Sequence, residues 1–208
     1  MINEAELDTA VNIIARGGIV IIPTDTIYGL SCDPDNIRAV LRLNSLKGRD
    51  RKPYIILDSD FQRLGKYISY NNFVVTFTNF LFENSLWPGN ITVVTEKNPD
   101  LEYDFLKDRD KIAVRLTDFY PVRYITDKFG SGIVSTSVNT SGGENLNDFD
   151  IIDREWGSKV DLVVKGDSTG NKASMIVELF NDEEMIRILR SSDDLSAVKI
   201  RKKFRILD

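Results

Sequence analysis

The chain has 208 residues, 42% of them hydrophobic and 28% charged, which is enough for one domain with a sizeable core. Its net charge of −5 argues against a surface that binds nucleic acid everywhere, although it allows a local basic patch. The absence of histidine and the single cysteine, Cys32, exclude a Ser-His-Asp or Cys-His mechanism, an intrachain disulfide and an ordinary zinc site. Any metal is expected to be a hard ion such as Mg²⁺. The acidic N-terminus is unlike a signal peptide, and no apolar run reaches the roughly 20 residues of a membrane span, so we expect a cytoplasmic protein.

Hydrophobic periodicity predicts helices and strands that alternate through most of the chain. The first helix starts at Asn3, with Glu6 completing a capping-box-like pattern, and ends at Gly17-Gly18. Further helices are predicted over 35–47 (capped by Asp35), 61–68, 73–82 and 121–129, and a short one near Asp153. Strands are predicted over 19–22, 54–57, 91–95, 112–116, 133–137, 162–164, 175–180 and 185–189, the last two as a hairpin. This order predicts an α/β fold, in which residues 1–208 form a single domain built on an open twisted mixed sheet flanked by helices.

A cluster of small polar side chains follows the first predicted strand. Thr24, Asp25 and Thr26 come directly after a buried run that is rich in β-branched residues, and Gly29 follows. Hydroxyls at the end of a buried strand are what an open α/β sheet offers to a small polar ligand. The alternative is a turn in which the threonines and the aspartate satisfy local backbone donors.

A basic segment follows the second predicted helix. It contains Lys47, Arg49, Arg51 and Lys52, and Pro53 comes next. Arginine binds phosphate through two parallel hydrogen bonds and lysine acts as a compact point charge, so this segment is a candidate triphosphate site. The alternative is a solvated helix C-terminus, where the helix dipole favours cations.

Arg115 is a charged residue inside an apolar predicted strand. Such a side chain is usually paired or faces a ligand.

Ser174 comes just before the predicted strand over 175–180, and Arg190 comes just after the one over 185–189. The alternatives are a structural ion pair for Arg115 and a solvated strand end for Arg190.

The segment 135–142 reads Ser-Thr-Ser-Val-Asn-Thr-Ser-Gly and follows another predicted strand. Its short donors and tight turn can bind an adenylate without forming a P-loop. The chain has neither a Gly-x-x-x-x-Gly-Lys-[Ser/Thr] motif nor a Gly-x-Gly-x-x-Gly motif. The alternative is a serine-rich surface loop.

Together these segments resemble the YrdC/TsaC-type threonylcarbamoyl-AMP synthase family. The matching motifs are Pro-Thr-Asp-Thr-Ile-Tyr-Gly over 23–29, Lys-x-Arg over 47–49 and Ser-x-Asn-x-Ser-Gly over 137–142. The resemblance implies a YrdC-like fold of the short, single-domain type, with a concave ligand-binding surface. It also implies synthesis of threonylcarbamoyl-AMP and pyrophosphate from L-threonine, bicarbonate and ATP, for the N6-threonylcarbamoyladenosine modification of tRNA.

By the same resemblance, each candidate residue inherits a role. The residues expected at threonine and bicarbonate are Thr24, Thr26, Arg115, Ser135 and Ser174. Those expected at ATP are Lys47, Arg49, Lys52, Ser137, Asn139 and Arg190, with Lys47 and Arg49 as the catalytic cations. Mg²⁺ is expected to arrive with ATP, without an identified protein side chain as its ligand. The product is expected to pass to a threonylcarbamoyl-transferring complex, and tRNA is a further candidate partner.

Three alternatives to the synthase stay open on the sequence. They are an RNA-binding module with a concave basic surface, a divergent paralogue with another carbamoyl-type reaction, and a nucleotide-binding α/β domain of unknown substrate. The chain departs from the family pattern by a shorter basic segment and at Asn90, Thr117, Met175, Glu178 and Ser192. The basic stretch 199–205 is expected to be solvated, as most such runs are.

Overall fold

The computed structural model describes residues 2–48, 54–139, 144–191 and 194–207. Within these residues the helices are α1 (Glu4–Ala15), α2 (Ile37–Lys47), α3 (Asn72–Glu83), α4 (Tyr120–Phe129), α5 (Phe149–Trp156) and α6 (Asp194–Lys203). The strands are β1 (Val20–Ile22), β2 (Gly29–Cys32), β3 (Ile55–Asp58), β4 (Ile91–Glu96), β5 (Lys111–Leu116), β6 (Ile133–Ser137), β7 (Leu162–Val163), β8 (Met175–Phe180), β9 (Met185–Arg190) and β10 (Arg205–Ile206). All of these strands form one sheet in the order β10-β9-β8-β4-β5-β3-β6-β2-β1-β7, with parallel and antiparallel neighbours. The predicted open sheet of mixed direction is therefore confirmed.

Asparagine side chains start three of the helices. Asn3 Oδ1 accepts from the backbone N–H of Ala5 at 3.0 Å and caps α1. Asn36 caps α2 and Asn71 caps α3 in the same way. These caps satisfy backbone donors that have no partner inside the helix. The prediction that Asp35 caps α2 is wrong, because the cap is the next residue.

One other prediction of secondary structure is wrong, and two elements, β2 and α6, were missed. The segment 61–68 contains a 3₁₀ turn over Arg63–Lys66 instead of an α-helix. The strand β2 was not predicted, since Gly29–Cys32 contains no β-branched residue. The cations of the basic stretch 199–205 are exposed to solvent as expected, apart from the half-buried Lys199, but the stretch also includes the end of α6 and the start of β10 and buries Ile200 and Phe204.

The two faces of the sheet are covered by different helices. On the first face, Ile56 and Val114 belong to a large core with Leu43 of α2 and Phe77 of α3. On the second face, α1 and α4 pack over a smaller apolar cluster that includes Leu57 and Ile133. The two helices cover only part of the second face, and this arrangement leaves room for a ligand beside them. No helix in the described ranges combines the length and the apolarity needed to cross a bilayer.

Candidate active site

A cavity of about 720 Å³ lies on the second face of the sheet. Its volume falls in the range of small-molecule sites. Side chains alternate between the faces of a strand, and so Ile55, Ala113 and Ser135 line this cavity, while the adjacent residues Ile56, Val114 and Val134 face the large core. The loop after β1 also lines it, as predicted, but the cavity extends over the sheet face rather than only along the strand ends.

Strand register explains how distant segments of the chain meet in this cavity. Ile55 pairs with Ser135 on one side and with Ala113 on the other. Val94 pairs with Ala113 and with Glu178. These residues therefore form one row across β6, β3, β5, β4 and β8. The row is polar at both ends and apolar in its middle.

The two threonines of the loop between β1 and β2 are buried and hydrogen-bonded to each other. Thr24 Oγ1 donates to the carbonyl of Ile27 at 2.7 Å and lies 3.0 Å from Thr26 Oγ1. The backbone N–H of Thr26 donates to Thr24 Oγ1 at 3.1 Å. Both side chains line the cavity. The local turn considered as an alternative is thus present, and it also presents hydroxyls to the cavity.

Arg115 extends from β5 to this loop and is only 3% exposed. Its Nη1 donates to Thr26 Oγ1 and its Nη2 to Asp25 Oδ1, each at 2.9 Å. Within the described residues, Arg115 Nε and Asp25 Oδ2 are buried without a hydrogen-bond partner. A buried donor without a partner costs free energy, so Arg115 retains a donor that an anionic ligand group can satisfy.

Burial dominates the electrostatics around Arg115. It raises the pKa of Asp25, which the nearby Arg115 charge offsets only in part. Burial also lowers the pKa of Arg115, with Asp25 acting in the opposite direction. The pKa of Arg190 is lowered by burial and further by the charge of Arg115. The two guanidinium groups therefore influence each other, and an anion between them would relieve this repulsion.

The β8–β9 hairpin brings Arg190 to Ser174. Arg190 Nε donates to the carbonyl of Ser174 at 2.7 Å, and Nη2 donates to its Oγ at 3.3 Å. Ser174 Oγ also lies 2.8 Å from Thr92 Oγ1. Arg190 is exposed at the end of β9, as the alternative of a solvated strand end predicts, and its guanidinium is also held at the cavity wall.

Lys47 forms hydrogen bonds to the Ser-x-Asn segment. It ends α2, is 1% exposed, and donates to the carbonyls of Ser137 and Asn139, each at 2.7 Å. It also donates to Asn139 Oδ1, which accepts from Ser137 Oγ at 3.1 Å. The ammonium therefore orders the backbone that follows β6.

The candidate residues fall into three groups by position. Those that line the cavity are Thr24, Thr26, Arg115, Ser135, Ser137, Ser174 and Arg190. Lys47 and Asn139 interact with each other next to Ser137. Arg49, Lys52, Ser192 and the segment 140–143 lie outside the described residues.

Three cavity features were not anticipated from the sequence. Lys111 and Glu178 line the cavity and form an ion pair at 3.0 Å. Lys111 and Arg115 are four residues apart on one strand. Because side chains alternate between the two faces of a strand, this spacing predicts that both lie on the same face. Asp25 stood inside the recognised motif without an assigned role. At Gly29, a Cβ atom would lie 2.4 Å from Ser135 Oγ, which explains the glycine.

A later segment of the chain supports the threonine loop. The backbone N–H of Thr24 donates to Ser168 Oγ at 3.3 Å, and the N–H of Thr169 donates to the carbonyl of Thr24 at 3.3 Å. The Tyr28 hydroxyl donates to the carbonyl of Gly166. This segment therefore holds the loop in addition to Arg115.

Comparison with known proteins agrees with the fold. The Sua5_yciO_yrdC family model, described as "Telomere recombination", matches residues 12–192. The chain belongs to this Sua5/YciO/YrdC family. It is 34% identical over 151 residues to a threonylcarbamoyl-AMP synthase of Wigglesworthia glossinidia brevipalpis, a match that covers 72% of this chain and 77% of that protein.

Solved structures of the family share the fold. P. abyssi Sua5 complexed with L-threonine matches all of this chain and 60% of its own, with a TM-score of 0.85 and 23% identity. E. coli YciO matches 91% of this chain and 90% of its own, with a TM-score of 0.79 and 24% identity. The chain thus spans about three fifths of the length of P. abyssi Sua5. At these identities the likeness concerns the fold alone.

Proposed function

We propose that the chain is an L-threonylcarbamoyladenylate synthase, a nucleotidyltransferase that makes threonylcarbamoyl-AMP and pyrophosphate from L-threonine, bicarbonate and ATP. The observation that carries the proposal is the buried Arg115, which lines a cavity rich in hydroxyls, is anchored by Thr26 and Asp25, and has a buried Nε donor without a hydrogen-bond partner among the described residues. A fixed arginine in such a setting suits the carboxylate of an amino acid. The curated relative named as a threonylcarbamoyl-AMP synthase supports the same activity.

The reaction requires alignment and charge neutralisation more than a covalent nucleophile. The threonine amine first forms a carbamate, either with CO₂ and loss of a proton or with bicarbonate and loss of water. A carbamate oxygen then attacks the α-phosphorus of ATP in line, a P–O bond forms, and pyrophosphate leaves with the electrons of the broken bond. Fixed cations and hydroxyls at the developing charges supply the main catalytic effect in such reactions. The absence of histidine from the sequence is compatible with this chemistry.

We divide the proposed roles between a threonine side and a nucleotide wall of the cavity, which meet where Arg190 contacts Ser174. Arg115, Thr26 and Ser174 would hold the carboxylate, amine and hydroxyl of threonine, with Thr24 and Ser135 beside them. Ser137 and Arg190 would contact the nucleotide, and Lys47 would act by ordering Ser137 and Asn139. Arg49 and Lys52 remain proposed triphosphate ligands on sequence grounds. Mg²⁺ would enter as part of the MgATP substrate, held by the phosphates.

The proposed partners follow from the product. Threonylcarbamoyl-AMP would pass to a complex that transfers the threonylcarbamoyl group to an adenosine of tRNA, in the cytoplasm. Direct contact of this chain with tRNA is not required for that transfer.

Isotope-labelled bicarbonate tests the proposed reaction. The purified chain is incubated with MgATP, L-threonine and ¹³C-bicarbonate, and the nucleotide products are analysed by mass spectrometry. We expect a threonine–AMP conjugate that carries one ¹³C atom and one equivalent of pyrophosphate. A conjugate without the label, or pyrophosphate without a conjugate, would contradict the proposal.

A further inference from the structure

The outer side of α3 belongs to a long stretch of the chain with almost no charge. Residues 67–95 include a single charged side chain, Glu83, whereas 28% of the whole chain is charged. Apolar side chains of this stretch are nevertheless exposed: Tyr70 just before the helix by 41%, and Val75 and Phe82 on the helix by 43% and 36%. Val75 and Phe82 are two helical turns apart and therefore lie on the same side of α3. An exposed apolar patch of this kind is typical of an interaction surface.

The aromatic rings at this patch are fixed by their packing. Phe61 lies edge-on to Phe82, Tyr70 and Trp87, with ring centroids 5.0, 6.1 and 6.5 Å apart. Trp87 is 2% exposed and donates through Nε1 to the carbonyl of Ile91 at 2.7 Å. The exposed rings therefore rest on a buried base, and little conformational freedom remains for them to lose on association.

The neighbouring exposed polar side chains on the same side of the helix are neutral. They are Asn72, Thr76 and Asn79, and each of them carries both a hydrogen-bond donor and an acceptor. A second copy of the same face can therefore satisfy these groups, which a face of cations alone or of carboxylates alone could not do. The face is thus complementary to itself, as contact across a two-fold axis requires.

Charge also favours a second copy of the chain at this face. Two copies with a net charge of −5 repel each other, and they do so least where the faces in contact carry few charges. When two copies of α3 pack antiparallel, Glu83 at the end of one helix lies near the N-terminus of the other, where the helix dipole attracts a carboxylate. In contrast, the exposed Ile37 and Leu41 of α2 have the exposed Arg38 between them, so a second copy would oppose like charges there.

We propose that the α3 face, formed by Phe61, Tyr70, Val75, Asn79 and Phe82, is an interface between two copies of this chain. The copies are related by a two-fold axis near Asn79, and the two α3 helices pack antiparallel across it. A helix of 12 residues is about 18 Å long, so the contact is at the small end of the range for protein interfaces and should dissociate on dilution. The candidate active site lies on the opposite face of the sheet, so both cavities stay open in the dimer. The dimer forms independently of the proposed reaction.

Sedimentation equilibrium of the purified chain tests the interface. Over a roughly hundredfold range of micromolar concentrations, the mean mass should rise from 23.6 kDa toward twice that value and not beyond it. Val75→Glu places a carboxylate in the contact and should keep the protein at 23.6 kDa throughout. The matched control is Ile37→Glu, which changes an apolar side chain on α2 that is 58% exposed and should dimerise like the wild type.

Opposite charges at Asn79 separate loss of the interface from loss of the fold. Near a two-fold axis residue 79 faces its counterpart, so Asn79→Asp and Asn79→Lys should each weaken dimerisation by about tenfold or more at low salt. An equimolar mixture of the two variants should regain the dimer, since the two side chains then attract each other. A wild type that stays at 23.6 kDa or passes twice that mass, equal behaviour of Val75→Glu and Ile37→Glu, or a mixture that stays monomeric would overturn the interface.

Discussion

Replacement of Asp25 by asparagine tests how the carboxylate-binding arginine is held. In the wild type, Asp25 and Arg115 form a buried ion pair at 2.9 Å, with 15% and 4% of their side chains exposed. Removing one partner of a buried pair costs about 3–5 kcal/mol. Asparagine keeps an oxygen that can accept from Arg115 Nη2 and avoids burying a negative charge, so we expect a loss of stability well below that range.

The same substitution should act selectively on threonine. A guanidinium that loses one of its two anchors samples more orientations, so the KM for threonine should rise by about tenfold, equivalent to about 1.4 kcal/mol. The KM for ATP should change little, since Asp25 contacts Arg115 rather than the nucleotide wall. Pyrophosphate release at varied threonine and at varied ATP measures both constants, and urea denaturation measures stability.

Asp58→Asn is the matched control for this experiment. Asp58 is fully buried and pairs with Arg63 at 2.7 Å, and it is not part of the cavity lining. The control should lose stability without a selective rise in the KM for threonine. If Asp25→Asn behaves like Asp58→Asn, or raises both KM values equally, Asp25 does not position Arg115 for threonine.

Asp25 also makes a pH prediction with a definite sign. Burial raises its pKa, so the folded protein binds this proton more tightly than the unfolded chain. The contribution of Asp25 to stability therefore falls as the pH rises from the ordinary carboxyl pKa through the raised one, opposite to the usual carboxylate. In the same window the KM for threonine should fall with rising pH, because the ionised carboxylate holds Arg115. Both trends should be absent from Asp25→Asn.

The remaining predictions concern three other residues. Gly29→Ala would place a Cβ 2.4 Å from Ser135 Oγ, so kcat/KM for threonine should fall. In the control Gly130→Ala, the new Cβ meets no atom within 4 Å. Its only cost should be the strain of the positive φ, which an unfolding titration should show as a loss of about 1 kcal/mol of stability. Lys47→Met removes donors to the backbone after β6, so ATP affinity measured by calorimetry should fall more than threonine affinity, and equal losses would contradict the ordering role. Burial raises the pKa of Cys32 to about 12, so iodoacetamide should label it only in denaturant, and rapid labelling of the native protein would contradict its burial.

Local sequence patterns predicted the helices and strands whose apolar and polar residues follow the burial of the element in the fold. The strand over 133–137 was predicted at its observed bounds because a buried apolar run precedes its hydroxyls. The helix over 73–82 lies within α3 for a similar reason, since its apolar residues repeat with helical period. In contrast, β2 was missed because Gly29–Cys32 pairs through backbone hydrogen bonds with β1 and β6, which the residue types alone do not reveal. The last helix was hidden by its charges, although the spacing of Ile200 and Phe204 was a signal.

The family resemblance grouped Thr26, Arg115 and Arg190 into one predicted site, and the structure places all three at one cavity. The sequence did not predict how they are arranged. Their contacts depend on the strand order, in which β3 lies between β5 and β6, and sequence order does not specify that. For the same reason, the pairing of Lys111 with Glu178 across β4 could not be derived, since the two residues are 67 positions apart.

The most direct test of the synthase assignment is pyrophosphate release from MgATP by the purified chain, with threonine and bicarbonate each present or omitted. We predict release only when both are present, and loss of most of it in Arg115→Ala at threonine concentrations that saturate the wild type. Pyrophosphate release that is independent of threonine, or ATP binding without release in the complete mixture, would contradict the assignment.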